Sequence, residues 1–317
     1  MAGQSLRTQG FSLTIPREEV NGPLNLTETV LSGQTAEPEW LRNGEWFTDI
    51  EVLDDTAIKY GLTQVGNADD FSIEARVIIG AQSTQTDQTA ATVRNHLIEV
   101  LGLKDDLNFF YRKFTVDDSV LAKTFRNLRG LRLMRGKDLF KALISSILSQ
   151  NNSVRLWNRS ARLLMKHYGE RVDFLDGSHE FLFPQPETLA RLNPRSLQSK
   201  TAIGYRAKPV VMVSRMIVKD EFDITEIPGQ SYEEAKETLL DLPGVGPKVA
   251  DCFLLYGAGQ RLAAPVDVWI HRIVSRFYFA GGNVSRMKTA EFLRERFQDW
   301  AGYAQLYLFD YARREQV

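Results

Sequence analysis

The stretch Leu242-Pro243-Gly244-Val245-Gly246-Pro247-Lys248, followed by Pro265-Val266-Asp267, holds a candidate nucleophile, a candidate carboxylate and a phosphate-binding turn. The glycines permit positive φ and close backbone approach. Pro247 suits the first position of a helix, where a missing N–H costs nothing. The N–H groups of Val245, Gly246 and Lys248 are then expected to project at a positive helix N-terminus, a ready phosphate site. Lys248 falls in that first turn, where a cation is disfavoured. The dipole is therefore expected to lower its pKa from the reference of about 10.4 and enrich the neutral, nucleophilic amine. Cys252, four residues on, shares its helix face. Asp267 directly precedes the apolar period of Ile270, Val274 and Phe277. It reads as a helix N-cap, ionised by its backbone N–H partners and able to stabilise a developing sugar cation. Together these groups suit removal of a base from DNA through a covalent lysine adduct. Taken singly, each has a plainer reading: a helix connector, a surface lysine, a cap.

The elements that must position these groups fall into two blocks. Phe71, Ile73, Ala75, Val77 and Ile79 alternate with Ser72, Glu74 and Arg76, and Ile58, Tyr60 and Leu62 alternate just before them. This is the period of half-buried strands. Asn43-Gly44 and Gly66-Asn67 mark turns. A Ser/Thr/Gln loop over Gln82–Gln88 leads into a helix with Val93, Leu97 and Leu101 on one face. An α+β unit with an antiparallel sheet is thus expected over 1–106. From 107 to 317 the pattern turns helical. Leu139, Leu143 and Ile147 line one helix that stops near Ser149-Gln150-Asn151-Asn152, and Leu156, Leu163 and Leu164 make the apolar side of the next. Prolines at 184, 186 and 194 break the chain before further helices. Tyr232, Ala235, Leu239 and Leu242 mark the helix entering the glycine turn, and the last helices run through Phe292–Phe297 and Tyr303–Arg314.

The chain has 317 residues, 43% of them apolar and 25% charged, the balance of an ordinary globular protein. No run approaches the ~18 apolar residues of a membrane span. Residues Met1–Ile15 lack the apolar core of a secretory signal. One cysteine excludes an intramolecular disulfide and any four-cysteine cluster, and the four histidines lack metal-ligand spacing. An intracellular, metal-independent protein without a cofactor is the expectation. The net charge of −1 does not advertise nucleic acid, yet six basic residues and no acid lie between Lys123 and Lys137. Seven more, again with no acid, lie between Thr188 and Lys219. Acids concentrate elsewhere, as in Asp105-Asp106 and Asp117-Asp118. Such stripes are expected to face phosphates, the alternative being a solvated charged face.

LPGVGPKVADC followed by PVDVW closely resembles the helix-hairpin-helix (HhH-GPD) DNA glycosylase superfamily, in its 8-oxoguanine glycosylase/AP lyase branch. The similarity runs from about residue 25 to the end. NFFYRKF, FRNLRGLRLMRG and SSILSQNNSVR look like the entry to the helical core, and Gly204–Lys208 like a wedge segment. Ala304–Phe309 is similar to the base-pocket helix, and Leu31–Gln34 to an N-terminal strand reaching the pocket. The resemblance implies a TBP-like antiparallel sheet domain before a helical core. It also implies roles. Lys248 would attack C1′ and form a Schiff base that permits β-elimination, with Asp267 assisting. Gln305 would read the Watson–Crick edge of a flipped base sandwiched by Phe309 and Cys252. The Gly33 carbonyl would accept from N7–H, a hydrogen that 8-oxoguanine has and guanine lacks. Extrusion is required because the glycosidic carbon is inaccessible in the stack.

On the opposite strand the resemblance implies Gln150 or Asn151 filling the gap, Tyr205 wedging, and Arg155 and Arg206 contacting a cytosine. Val245, Gly246, Val249 and Trp269 would touch DNA as well, and an alkali ion would sit at the hairpin carbonyls. The implied partner is duplex DNA with an oxidised purine, bound by a monomer, without a membrane. Two positions depart from the eukaryotic pattern: Trp269 stands where a phosphate-touching histidine is usual, and Gln150 where asparagine is. The cysteine count excludes the iron–sulfur cluster of some relatives. Two alternatives remain open. A monofunctional glycosylase for alkylated bases would lack the hairpin lysine, and a non-catalytic helix-hairpin-helix DNA-binding protein would need neither Lys248 nor Asp267.

Overall fold

The computed structural model describes residues 10–35, 38, 40–82, 87–116 and 118–315. Most of the Gln82–Gln88 loop, Asp117 and the first nine residues lie outside the described residues. The first block is an antiparallel five-stranded sheet, β1 (Gly10–Pro16), β2 (Leu41–Asn43), β3 (Trp46–Leu53), β4 (Thr56–Gly66) and β5 (Phe71–Ile79), in the order β1-β5-β4-β3-β2. β5 lies between β1 and β4 with one face covered, as its alternation requires. Its five odd-numbered apolar residues are all buried, and register sets Tyr60 against Val77 and Leu62 against Ala75. A short helix α1 (Leu26–Leu31) and a longer one, α2 (Asp87–Val100), accompany the sheet, and Val93, Leu97 and Leu101 complete its core.

The helical block begins with α3 (Leu107–Thr115), capped by Asp106 through a 2.9 Å bond from the Phe109 N–H, and α4 (Ser119–Asn127), capped by Asp118. It continues through α5 (Leu139–Leu148), α6 (Val154–Tyr168), α7 (Pro186–Ala190), α8 (Pro194–Thr201) and α9 (Ala207–Val218). The final five are α10 (Tyr232–Leu240), α11 (Pro247–Tyr256), α12 (Val268–Tyr278), α13 (Arg286–Phe297) and α14 (Ala301–Glu315). One large apolar cluster runs through this block from Leu107 to Ala312.

The division expected at 106/107 is crossed by contacts between the two blocks. Met134 lies in the core of the sheet unit. A small hairpin of β6 (Arg171–Asp173) and β7 (His179–Phe181) touches the end of β5, with the Leu175 N–H donating to the Ile79 carbonyl at 3.1 Å.

The first basic stripe corrects the sequence expectation. Arg132 is fully buried and donates to the carbonyls of Asn21 (2.8 Å), Pro23 (3.0 Å) and Gly102 (2.6 Å), pinning the two units together. Arg129 pairs with Asp69 at 2.7 Å, Arg135 with Asp105 at 2.5 Å, and Lys137 with Glu99. These cations are neutralised by acids that are distant in sequence, so a local lack of acid overstated the free charge. A second correction concerns α6. Leu156 is exposed, and the buried face is Trp157, Ala161 and Leu164. The Trp157 indole N–H donates to the Ser145 carbonyl at 2.9 Å, which turns that side of α6 inward.

Candidate active site

The hairpin joins α10 to α11. The Val245 N–H closes the turn onto the Leu242 carbonyl at 3.1 Å, so that N–H is not free for phosphate as the sequence suggested. Gly244 has φ +78°, and a Cβ there would lie 2.5 Å from Pro209 Cβ, which is how tightly the turn packs on α9. A Cβ on Gly246 would meet nothing within 4 Å, so this side of the turn is open. Gly246 is the extended N-cap of α11, with Pro247 behind it. The first-turn N–H groups of Lys248 and Val249 have no intrahelical acceptor by position. The side chains of Val245 and Val249 are buried, so these residues can offer DNA only their backbone.

Lys248 points from α11 into a cavity shared with five other candidate residues: Gly33, Cys252, Asp267, Gln305 and Phe309. Its Nζ donates to Ser149 Oγ at 2.9 Å, at the C-terminal end of α5. Asp267 caps α12, accepting from the Ile270 N–H at 2.9 Å. Burial raises its carboxyl pKa above the ordinary value, against the N–H groups of Ile270 and Trp269 and the nearby Lys248 ammonium, which favour the anion. Burial likewise pushes the Cys252 thiol up, while Lys248 pulls the other way.

Gln305 and Phe309 stand one turn apart on α14, both almost wholly buried. Gly33 is not on a strand. It follows the end of α1 with φ +67°, and a Cβ there would meet Val154 Cγ1 at 2.8 Å, so both backbone and space require glycine. Arg313 of α14 donates to the Ser32 carbonyl at 3.0 Å and holds this turn at the pocket mouth.

Among the lining residues that sequence reasoning missed are Ser149, Gln34 and Tyr256. Ser149 lies inside the SSILSQNNSVR segment, which assigned it no role. Gln34, next to Gly33, lies in the pocket, and Tyr256 follows Lys248 and Cys252 at the same four-residue interval, which was the available clue. The Tyr256 hydroxyl donates to Gln34 Oε1 at 2.6 Å, and Gln305 Nε2 donates to the same oxygen at 3.2 Å.

Beside the pocket, a projection forms from the α5–α6 turn and the segment before α9. The exposed Tyr205 donates to Gln150 Oε1 at 3.0 Å, and Asn151, with φ +46°, donates to the Tyr205 oxygen at 3.3 Å. Arg206 is buried beneath them. Its guanidinium donates to the carbonyls of Gln150 (2.8 Å), Asn151 (3.1 Å) and Ile203 (3.2 Å). In the structure the Arg206 guanidinium thus supports the turn that carries Gln150 and Asn151. Arg155 remains exposed on the first turn of α6. Trp269 is half-buried, with the Arg272 guanidinium 5.8 Å over its ring.

Arg206→Lys is expected to weaken lesion-duplex binding by about tenfold through loss of two or three carbonyl bonds. The slope of log affinity against log salt should not change, because this charge does not face a phosphate. A slope reduced by about one unit would mean that Arg206 contacts the backbone of DNA after all.

A helix-hairpin-helix with a lysine at its second helix, a capping aspartate and a deep side pocket defines a class of base-excision protein. Residues 144–299 match the model of the HhH-GPD superfamily base excision DNA repair protein. A probable N-glycosylase/DNA lyase of Methanothermobacter thermautotrophicus is 34% identical over 313 residues, covering 92% of this chain and 95% of the relative. The chain belongs to the HhH-GPD superfamily of base excision DNA repair proteins. Among solved structures, MBOgg1 in complex with a low-affinity DNA ligand superposes with a TM-score of 0.81 at 26% identity, covering 98% of each chain. The fold is also that of the Clostridium acetobutylicum 8-oxoguanine glycosylase/lyase, solved with DNA carrying cytosine opposite 8-oxoG, with a TM-score of 0.77, 24% identity and 93% of each chain covered.

Among the described residues no cluster of His, Cys, Asp and Glu could hold a metal ion, and no helix is long and apolar enough to cross a membrane.

Proposed function

We propose that this protein is a bifunctional DNA glycosylase/AP lyase that extrudes 8-oxoguanine opposite cytosine, excises it and nicks the strand. The observation that carries this reading is the single cavity lined by Lys248, Asp267, Gln305, Phe309, Cys252 and Gly33. The Methanothermobacter relative, a probable N-glycosylase/DNA lyase, aligns over nearly the whole chain, which supports both activities. The slot between Phe309 and Cys252 suits a flat ring, and Gln305 offers an amide to the Watson–Crick edge. A Gly33 carbonyl facing N7–H favours the oxidised base, since guanine would oppose it with a lone pair.

In the reaction, the unprotonated amine of Lys248 adds to C1′ as the C1′–N9 bond breaks and the base leaves with the electron pair. The ionised Asp267 stabilises the positive charge that builds on the sugar. Ring opening gives the Schiff base, which acidifies the C2′ proton. Loss of that proton expels the 3′ phosphate.

Tyr205, Gln150 and Asn151 fill and wedge the space left in the duplex, and Arg155 and Trp269 meet the DNA on either side. The end of α10 leaves carbonyls without intrahelical donors, a neutral oxygen set that suits an alkali ion. Such an ion would add positive charge beneath a bound phosphate and takes no part in bond making. We take the protein to act as an intracellular monomer.

Borohydride trapping on duplexes with 8-oxoguanine opposite each of the four bases tests the reading. Expected is a covalent adduct with the highest yield opposite cytosine. Base release without an adduct would point to a monofunctional enzyme, and binding without release to a DNA-binding protein. Neither alternative gives a task to the pocket lysine.

A further inference from the structure

The base-reading amide of Gln305 does not stand alone. Among the groups lining the pocket, one hydroxyl is placed to decide which way round that amide is held. Tyr256 lies at the end of α11, 3% exposed, with its O–H aimed at two side-chain amides. It donates to Gln34 Oε1 at 2.6 Å, and Gln305 Oε1 stands 3.3 Å from the same hydroxyl. Gln305 Nε2 donates to Gln34 Oε1 at 3.2 Å. In the protein free of DNA, Gln34 Oε1 thus receives both donors, much as the O6 acceptor of a guanine would receive the one from Gln305.

We propose that Tyr256 is a specificity-determining positioning residue, whose hydroxyl locks the Gln305 amide with its oxygen toward Tyr256 and so selects a guanine-type over an adenine-type Watson–Crick edge. The inference rests on the reading of Gln305 as the group that meets the flipped base. A guanine edge presents the O6 acceptor beside the N1–H donor, and needs Nε2 on the first and Oε1 on the second. An adenine edge presents the N6 amino donor beside the N1 acceptor, and needs the amide turned by half a revolution. Turned that way, Gln305 would offer its NH2 to the Tyr256 oxygen, and once the base has displaced Gln34 the Tyr256 proton would be left without an acceptor in a buried site, which is costly. The entering base displaces Gln34 Oε1 from both donors: O6 accepts from Nε2 in its place, and the freed Tyr256 O–H turns to Gln305 Oε1. That oxygen keeps a second lone pair for N1–H. Burial, with Cys252 and Asp267 beside it, pushes the Tyr256 phenol well above its ordinary pKa, so it remains a proton donor.

Tyr256→Phe keeps the ring in its packed site and removes only the donor. Single-turnover excision should be measured on duplexes carrying 8-oxoguanine or 8-oxoadenine, which share the C8 oxygen and N7–H and differ in the edge. Cleavage of a preformed abasic site serves as the reference. Expected is a fall of about tenfold in the 8-oxoguanine to 8-oxoadenine rate ratio, the worth of one oriented hydrogen bond, with abasic cleavage kept within about twofold. Gln34→Ala should keep the ratio, because Tyr256 then donates to Gln305 alone.

An unchanged ratio in Tyr256→Phe overturns the assignment, as does an equal fall in excision and abasic cleavage, which marks a merely structural tyrosine. Those outcomes leave the glycosylase function standing. Wild-type protein that releases 8-oxoadenine and not 8-oxoguanine overturns the function and the assignment together.

Discussion

Lys248→Gln should abolish the borohydride-trapped adduct and lower base excision by at least about 10^4-fold, the scale of losing a covalent nucleophile. Affinity for the lesion duplex should stay within a few-fold. The phosphate-facing N–H groups of the α11 first turn belong to the backbone and survive the change. The fold should survive as well, since the change removes only the 2.9 Å donation from Nζ to Ser149 Oγ in the cavity. The measurement is a trapping gel beside single-turnover kinetics and equilibrium binding. An adduct that persists in Lys248→Gln would place the nucleophile elsewhere. Loss of binding in step with excision would make Lys248 a DNA contact and not a nucleophile.

Asp267→Asn should lower excision by about 10^2- to 10^3-fold, as expected for removal of a charge that stabilises the transition state. Thermal stability at neutral pH should hold or rise. Burial lifts the folded-state pKa of Asp267 above its value in the unfolded chain, so the native state binds this proton more tightly. Its contribution is therefore most favourable at pH below the unfolded carboxylate value of about 3.9 and declines as pH rises through that value to the folded one. At neutral pH the buried anion is a cost that asparagine removes, while its side-chain oxygen still caps α12. The stability difference between the two proteins should vanish at acid pH. For the same reason the acid limb of wild-type excision should lie above the ordinary carboxylate range, because activity needs the anion. A mutant that melts far below wild type at pH 7 would show that the carboxylate is mainly structural.

These expectations also show how far the residues speak for themselves. The strand Phe71–Ile79 is written in a period-2 apolar pattern, because burial on one face demands it, and the helix from Leu139 to Leu148 shows in its apolar period although the structure buries it on nearly every side. The hairpin is written in glycine and proline for backbone reasons that need no tertiary context. The Asp267 cap is equally local, since it binds an N–H only three residues away.

Charge was far less readable. Arg129, Arg132, Arg135 and Lys137 looked like a free basic stripe, and each proves to be matched by acids or carbonyls from segments far along the chain. The guanidinium of Arg206 is likewise buried, on the carbonyls of Gln150 and Asn151. The failure has one cause. Periodicity and capping are properties of neighbours in sequence, whereas the partner of a long charged side chain is chosen by the fold.

By itself, then, the sequence determined the two blocks of the fold, the hairpin, the placement of Lys248 and Asp267 at helix starts, and the family to which the chain belongs. Only the tertiary structure decided that α5, α6, α11, α14, the turn after α1 and the cap of α12 converge on one cavity, and that Gln34 and Tyr256 share it with Gln305. Distances of 2.6–3.3 Å among those three side chains join residues from opposite ends of the chain. No local pattern encodes such a contact, because it exists only once the apolar faces of separate elements have packed together.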